Sequence, residues 1–148
     1  MLDTLSRNSR MVIWAAMLLM LAGACHKKIV PNNSNNNPAT LVFGQSGGVT
    51  GKTTEFSLVV NGELYRHETV SRERVLLKKL KLDDSRPFFA EAEALHLMDL
   101  DFNKPFNINY YIIYKKGVRE NRINWGDSRL PPPGEVQSLY DKLLALTR

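Results

Sequence analysis

Apolar and polar residues alternate along residues 55–60 and 63–67, the period-2 pattern of strands with one buried face. Asn61-Gly62 between them is the strongest short signal for a β-hairpin, because both positions of such a turn need a positive φ. A two-residue loop places Leu58 opposite Tyr65. The face expected to meet the core then holds Phe56, Leu58, Val60 and Tyr65.

A second hairpin is predicted by the same pattern. Residues 107–115 and 118–125 flank Lys116-Gly117, and a two-residue loop places Ile112 opposite Asn121. The other face carries Tyr111 beside Arg122 and should face water, although a bulge at Gly117 would shift the register by one. The expected core face holds Ile108, Tyr110, Ile112, Ile123 and Trp125.

Two further segments have the helical period. Residues 85–97 have Pro87 in their first turn, and a second helix starts after residues 131–134. Residues 40–43 predict a short opening strand, and residues 75–82 fit either a strand or a helix. The apolar stripes of the two helices are Phe88, Ala92 and Leu95 in the first, and Val136, Leu139, Tyr140, Leu143 and Leu144 in the second.

These elements predict an α+β fold. We expect an antiparallel sheet of about four to five strands with two helices on one face, in the order β-β-(β)-α-β-β-α. Residues 40–148 suit one small domain. The chain has 148 residues and a formal net charge of +5.

The N-terminal residues predict export. Residues 11–22 form an uncharged apolar run of 12 residues, shorter than the roughly 20 that a transmembrane helix needs. Arg7 and Arg10 precede this run, and Ala22-Gly23-Ala24 follows it, as in a secretory signal. We therefore assign residues 1–24 to a signal peptide.

Cys25 is the single cysteine of the chain, and it follows the predicted cleavage site directly. Leu21-Ala22-Gly23-Ala24-Cys25 resembles the lipobox of bacterial lipoproteins, with the leucine one position further back than usual. The resemblance implies that Cys25 is lipidated and holds the protein at a membrane. Ala22-x-Ala24 also suits the ordinary signal peptidase, which would cut at the same bond and leave a free thiol.

Residues 25–39 are predicted to be a linker. Their asparagine-rich part has no apolar side chain to bury, so a flexible spacer is expected. No acidic cluster follows Cys25, so we favour the periplasmic face of the outer membrane. Removing residues 1–24, with two arginines and one aspartate, leaves a charge of +4. Because an exported chain seldom meets nucleic acid and its basic residues are scattered, we expect no nucleic-acid partner.

The glycine-rich residues 46–53 resemble a phosphate-binding P-loop incompletely. Ser46 stands where G-x-x-x-x-G-K-[ST] needs its first glycine, and a strand rather than a helix follows. We therefore expect no nucleotide there. A tight reversal between two strands explains the glycines. Exposed backbone N–H groups would also suit an anion nest.

The histidines of the domain predict neither a metal site nor a catalytic one. His67 is expected opposite Phe56, and His96 at the edge of its helix. His96 and Asp99 offer at most two ligands, fewer than zinc needs. No grouping of serine, histidine and acid is recognisable from the order of residues. The sequence thus predicts no cofactor, no metal ion and no catalytic residue.

Residues 120–127 are the other segment of interest. A strand that ends in Trp125-Gly126-Asp127 beside a proline-rich loop fits an exposed aromatic and polar rim, as found in interfaces. Equally, Trp125 fits a core anchor with a turn after it. The candidate interaction surface comprises Gly47, Gly48, Thr50, Gly51, Lys52, Tyr111, Arg122, Trp125 and Asp127.

Three groups of residues resemble a family. They are Phe43-Gly44 with the glycines of residues 47–51, Asn61-Gly62, and Glu120-Asn121-Arg122-Ile123-x-Trp125-Gly126. Together they look like a group of small Bacteroidota-type envelope lipoproteins for which no activity is established. The resemblance implies a lipid-anchored single domain and supplies no catalytic residues.

Two functions fit the sequence. The first is a non-enzymatic, lipid-anchored binding or accessory module that contacts an unknown protein or envelope component. The second is a small envelope hydrolase or ligand-binding protein with a pocket between sheet and helices. The sequence favours the first, because its apparent motifs reduce to turns, caps and core.

Overall fold

Seven strands and two helices follow one another along the chain in the computed structural model, which describes residues 37–68 and 73–148. The predicted signal peptide, Cys25 and most of the linker lie outside the described residues. The strands are β1 (Thr40–Gly47), β2 (Thr54–Val59), β3 (Glu63–His67), β4 (Arg74–Lys79), β5 (Asn103–Lys104), β6 (Ile108–Lys116) and β7 (Arg119–Trp125). The helices are α1 (Leu82–Ala94) and α2 (Gly134–Ala145).

The strands form one mixed sheet in the order β4-β3-β2-β1-β6-β7-β5. All neighbours are antiparallel except β5, which pairs with β7 in parallel. The α+β class and the two helices are confirmed, but four to five antiparallel strands is wrong. The ambiguous residues 75–82 divide between β4 and the start of α1. Strand β5 has only two residues, both polar, so no alternation marks it in the sequence.

Both helices pack on one face of the sheet, which we call the covered face. Their buried side chains meet alternate residues of β1, β2, β3, β6 and β7 in one apolar cluster. No described helix lies on the opposite face, which we call the open face. The fifteen buried members are Leu41, Phe43, Leu58, Leu64, Phe89, Ala92, Leu97, Ile112, Tyr114, Ile123, Trp125, Val136, Leu139, Tyr140 and Leu143.

The loop between β2 and β3 is one residue longer than predicted. Leu58 pairs with Leu64, which leaves Val60, Asn61 and Gly62 between the strands. Gly62 has a φ of 90°, and its N–H donates to the carbonyl of Val59 at 2.8 Å. Because successive side chains alternate in face, this single residue moves Leu64 into the core. Tyr65 therefore lies on the open face, and its predicted core position was wrong.

The second hairpin differs from its prediction by two positions. The loop is Gly117-Val118, with Gly117 at a φ of 61°, and Ile112 pairs with Ile123 rather than with Asn121. A shift of two keeps each residue on its predicted face, so the core positions of Ile112 and Ile123 are confirmed. Ile108 is 43% exposed, so its predicted core position was wrong.

The covered face is closed by aromatic side chains. The rings of Trp125 and Tyr140 meet edge to face with centroids 5.1 Å apart, and Tyr110 lies 6.0 Å from Tyr140. The Tyr140 hydroxyl donates to the carbonyl of Gly44 at 3.1 Å. Helix α2 is thereby fixed to the central strand. In the described part of the chain, no helix has both the length and the apolar character to cross a membrane.

Candidate functional site

The glycine-rich loop connects β1 to β2 at one end of the sheet. Gly47 ends β1 with a φ of 104°, a conformation that side chains disfavour. A Cβ atom at this position would lie 2.2 Å from the carbonyl oxygen of Asn107. The N–H of Gly48 donates to that same oxygen at 2.8 Å. The loop is thus held against the segment before β6, and it needs glycine at position 47 to approach so closely.

The loop and the end of β3 line a half-open surface pocket of about 720 Å³. We call it the glycine-loop pocket. Its wall carries two kinds of hydrogen-bonding group, threonine hydroxyls from the loop and charged side chains from the loop and β3. The lining residues are Thr50, Gly51, Lys52, Thr53, Thr54, Arg66, His67 and Glu68.

Positive charge predominates in this pocket. Lys52 takes part in none of the ion pairs found among the described residues. Arg66 pairs with Glu68 at 2.6 Å, so the pocket's carboxylate already has a cation. Both partners of that pair are about half exposed, and such a pair stabilises the fold by less than about 1 kcal/mol. The Lys52 ammonium remains the uncompensated charge.

His67 joins the pocket to the open face through a chain of polar contacts. The Tyr111 hydroxyl donates to Glu55 Oε2 at 2.8 Å, and Glu55 Oε1 lies 3.5 Å from His67 Nδ1. His67 Nε2 lies 2.9 Å from Ser57 Oγ. Gly44 of β1 pairs with both Tyr111 and Glu55 in the sheet. Because Gly44 has no side chain, Tyr111 and Glu55 meet across β1.

In space, Ser57 contacts His67 and His67 contacts Glu55, the arrangement of serine, histidine and acid in a hydrolase triad. Ser57 is only 1% exposed, however, and it lies within β2 between the paired residues Val42 and Tyr65. A nucleophile has to reach the substrate's reacting atom, and a hydroxyl buried to this extent does not. Ser57 therefore holds the His67 ring in place and is not a nucleophile.

The surroundings of His67 disfavour its charged form. Burial lowers the pKa of His67, Glu55 opposes this effect, and Arg74 and Lys115 add to it. The ring is therefore mainly neutral at pH 7. The contacts suit a neutral ring with its proton on Nδ1, facing Glu55, while Nε2 accepts from the Ser57 hydroxyl.

Arginine side chains stack on tyrosines at two places on the open face. The guanidinium of Arg122 lies 4.1 Å from the ring centre of Tyr111, and that of Arg74 lies 4.7 Å from the ring centre of Tyr65. Such contacts stabilise by about 0.5–1 kcal/mol at exposed sites. Tyr111 is only 2% exposed, so the expectation that it faces water was wrong. Arg122 pairs with Ile113 and not with Tyr111, so the predicted pairing was wrong and the guanidinium reaches the Tyr111 ring diagonally.

The structure brings together part of the predicted interaction surface. Gly47 and Gly48 shape the loop, and Thr50, Gly51 and Lys52 line the pocket. Tyr111 and Arg122 share the open face and connect to the pocket through Glu55 and His67. The pocket thus extends onto the open face through one chain of side chains.

Trp125 and Asp127 do not join this surface. Trp125 is 5% exposed and lies on the covered face, so its place in an exposed rim was wrong and the alternative, a core anchor, is found. Asp127 accepts hydrogen bonds from the backbone and the side chain of Arg129 at 3.0 and 2.9 Å. The side-chain hydrogen bond from Arg129 is the main cause that lowers the pKa of Asp127 to about 2. Asp127 thus stabilises the turn after β7.

Seven residues of the site were missed from the sequence: Thr53, Thr54, Glu55, Ser57, Arg66, His67 and Glu68. Glu55 and Ser57 alternate with the apolar residues of β2, so they were visible as polar positions on one face. Their contacts with His67 were hidden because the predicted register placed His67 opposite Phe56. His67 instead pairs with Glu55.

A second groove, of about 680 Å³, lies at the other end of the open face. Each cation in its lining has a partner: Lys115 pairs with Glu120, Arg119 pairs with Asp99, and Arg74 stacks on Tyr65. Lys115 lies 3.0 Å from Glu120, and Lys79 lies 3.6 Å from Glu63. The glycine-loop pocket, with its uncompensated lysine, is therefore the stronger candidate site.

Comparison with known proteins does not assign a function to this site. A function for the chain has to rest on the geometry of the pocket itself, since the sequence matches no protein-family model and no curated protein.

Proposed function

We propose that the chain is a lipid-anchored envelope protein whose domain binds an envelope component in the glycine-loop pocket. The proposed anchor is Cys25, the proposed address is the periplasmic face of the outer membrane, and nucleic acid is not a proposed partner. One observation supports this function most strongly. The pocket and the entry of the chain into the domain lie at opposite ends of β1.

Strand β1 begins at Thr40 and ends at Gly47. Its eight residues span about 25 Å at 3.2–3.4 Å per residue. Residues 25–39 separate Thr40 from the anchor and reach about 50 Å at most when fully extended. An anchor at Cys25 would therefore hold the domain within about 50 Å of the membrane. Because the chain is attached at the Thr40 end, the pocket at the other end of β1 is left free to reach a partner.

The alternative proposal, a hydrolase with a pocket between the sheet and the helices, has little support. The fifteen-residue apolar cluster fills the described interface between the covered face and both helices. The polar groups beside α1 are paired with one another, Tyr114 and Lys116 with Glu93 and Arg119 with Asp99. At the glycine loop, Lys52 takes part in no ion pair found among the described residues. Binding at that end of the domain is the better proposal.

The anchor is tested by fatty-acid labelling in cells. Wild type should incorporate labelled palmitate and sediment with the membranes, whereas Cys25→Ser should lose the label and move to the soluble fraction. Equal labelling of the two proteins would refute the anchor.

The binding site is tested by photo-cross-linking in intact cells. A photoreactive residue in place of Val49, fully exposed in the glycine loop, should give a discrete adduct, because it lies beside the pocket. Lys52→Glu should reduce the adduct at least about tenfold, since it reverses the pocket's free charge. Band shifts on denaturing gels measure both yields.

Val118 provides the matched control position for this experiment. It is exposed and lies in the β6–β7 turn, at the end of the sheet where β1 begins. A photoreactive residue there should give no adduct that depends on Lys52. Equal adducts at both positions, or an adduct indifferent to Lys52→Glu, would argue against the pocket as the binding site.

A further inference from the structure

We infer that the glycine-loop pocket binds a phosphate group carried by a larger molecule. This inference rests on the proposed function, because it takes the pocket to be the ligand site and assigns the ligand's chemical class. Three features of the pocket support it: its charge, its neutral donors and its size.

The charge of the pocket favours an anion. Lys52 and Arg66 supply two cations to the lining, and the single lining carboxylate, Glu68, is already paired with Arg66 at 2.6 Å. Lysine recognises phosphate as a point charge, and its three donors rotate to suit the oxygens. Lys52 therefore offers the primary contact, with the Arg66–Glu68 pair beside it.

The neutral part of the lining supplies further donors. Thr50 and Thr54 add hydroxyl groups to the lining. The backbone N–H groups of Gly48 and Gly51 already donate to the carbonyls of Asn107 and Gly48, so the donors offered to a ligand are side chains. A phosphate group, with its several strong acceptor oxygens, matches a set of hydroxyl donors around one cation.

The size of the pocket leaves room for a ligand larger than phosphate. A pocket of about 720 Å³ falls in the range of roughly 300–1,000 Å³ typical of sites for drug-sized molecules. The remaining volume would take the sugar, lipid headgroup or other group that carries the phosphate. In each of these ligands the phosphate is attached as an ester, so we assign the ligand to the class of phosphate esters.

His67 is a reporter of binding rather than a ligand. Both of its ring nitrogens have partners, Ser57 at 2.9 Å and Glu55 at 3.5 Å. The charged groups that act on it are Glu55 from β2, Arg74 from β4 and Lys115 from β6. An anion in the pocket adds negative charge beside the ring, so it raises the His67 pKa.

Proton NMR titration of residues 25–148 in detergent tests this inference. These residues are the mature chain whether or not Cys25 is lipidated, because both signal peptidases cut at the same bond. Added inorganic phosphate, at ionic strength matched with chloride, should raise the midpoint of the His67 titration. Lys52→Gln should weaken this saturable effect at least about tenfold, as expected for the loss of a hydrogen bond to a charged group.

Two controls are built into the chain. His96 lies outside the pocket and should not respond to phosphate, and Lys104→Gln, on the distant strand β5, should leave the His67 response unchanged. No phosphate effect at His67, an equal effect at His96, or an equal effect in Lys52→Gln would each overturn the inference. The cross-linking result would stand in that event, which separates failure of the phosphate assignment from failure of the binding site.

The source of the phosphate is distinguished by a second probe. Vesicles of phosphatidylglycerol, compared with vesicles of a phosphate-free glycolipid, should raise the His67 midpoint in a Lys52-dependent way if the ligand is a lipid headgroup. Glycerol 1-phosphate should do so without vesicles if the ligand is a soluble phosphate ester. Absence of a Lys52-dependent response to both probes would overturn the assignment of a phosphate ester.

Discussion

Alanine in place of Gly62 should lower the free energy of unfolding by about 2–4 kcal/mol, the sum of a backbone strain and a steric clash. Gly62 has a φ of 90°, and an added Cβ would lie 2.3 Å from the carbonyl oxygen of Leu80. The contact is fixed from both sides, because the N–H of Leu80 donates to the Gly62 carbonyl at 2.8 Å. Urea unfolding monitored by the fluorescence of Trp125 measures the change.

Gly117→Ala is the matched control for this prediction. Gly117 has a φ of 61° in the other hairpin turn, but no described atom lies within 4 Å of an added Cβ. Only the backbone strain remains there, so the loss should be about 1–2 kcal/mol. If both variants lose the same stability, the contact between the β2–β3 turn and Leu80 does not constrain the fold.

The same turn shows how far the sequence predicts the fold. Asn61-Gly62 located the β2–β3 hairpin correctly, because glycine at a positive φ is a local requirement. The register depended on whether Val60 belongs to the strand or to the loop, and one residue decided the faces of Leu64 and Tyr65. That choice is made by burial of Leu64 against the helices, a long-range effect that the local pattern does not contain.

The candidate site was predictable to the same degree. Thr50, Gly51 and Lys52 stood out in the sequence because they lie in one short glycine-rich loop. Arg66 and His67 reach the pocket from β3, and their approach follows from the pairing of β3 with β2. Since His67 was placed opposite the wrong residue, its contacts with Glu55 and Ser57 were lost as well. To predict contacts across strands, the strand register must be known, whereas contacts within a loop can be predicted without it.

Trp125→Ala should cost about 3–5 kcal/mol of stability, the usual loss for an aromatic side chain removed from a core. The Trp125 ring lies on the covered face, with its centroid 5.1 Å from that of Tyr140 and 6.4 Å from that of Tyr110. Its removal would leave a cavity beneath α2 and loosen the hydrogen bond of Tyr140 to Gly44. Because Trp125 is the only tryptophan of residues 25–148, urea unfolding followed by circular dichroism is the suitable measurement.

Arg122→Ala and Trp125→Phe separate this loss of packing from a loss of surface. Arg122 is exposed on the open face, so its replacement should change stability by no more than about 1 kcal/mol, the energy of its contact with Tyr111. Trp125→Phe keeps an aromatic ring in the cluster and should lose clearly less than Trp125→Ala. A fully stable Trp125→Ala would contradict its role in the core. Any loss of ligand binding by Trp125→Ala therefore reports unfolding. Binding studies of the open face need Arg122→Ala instead.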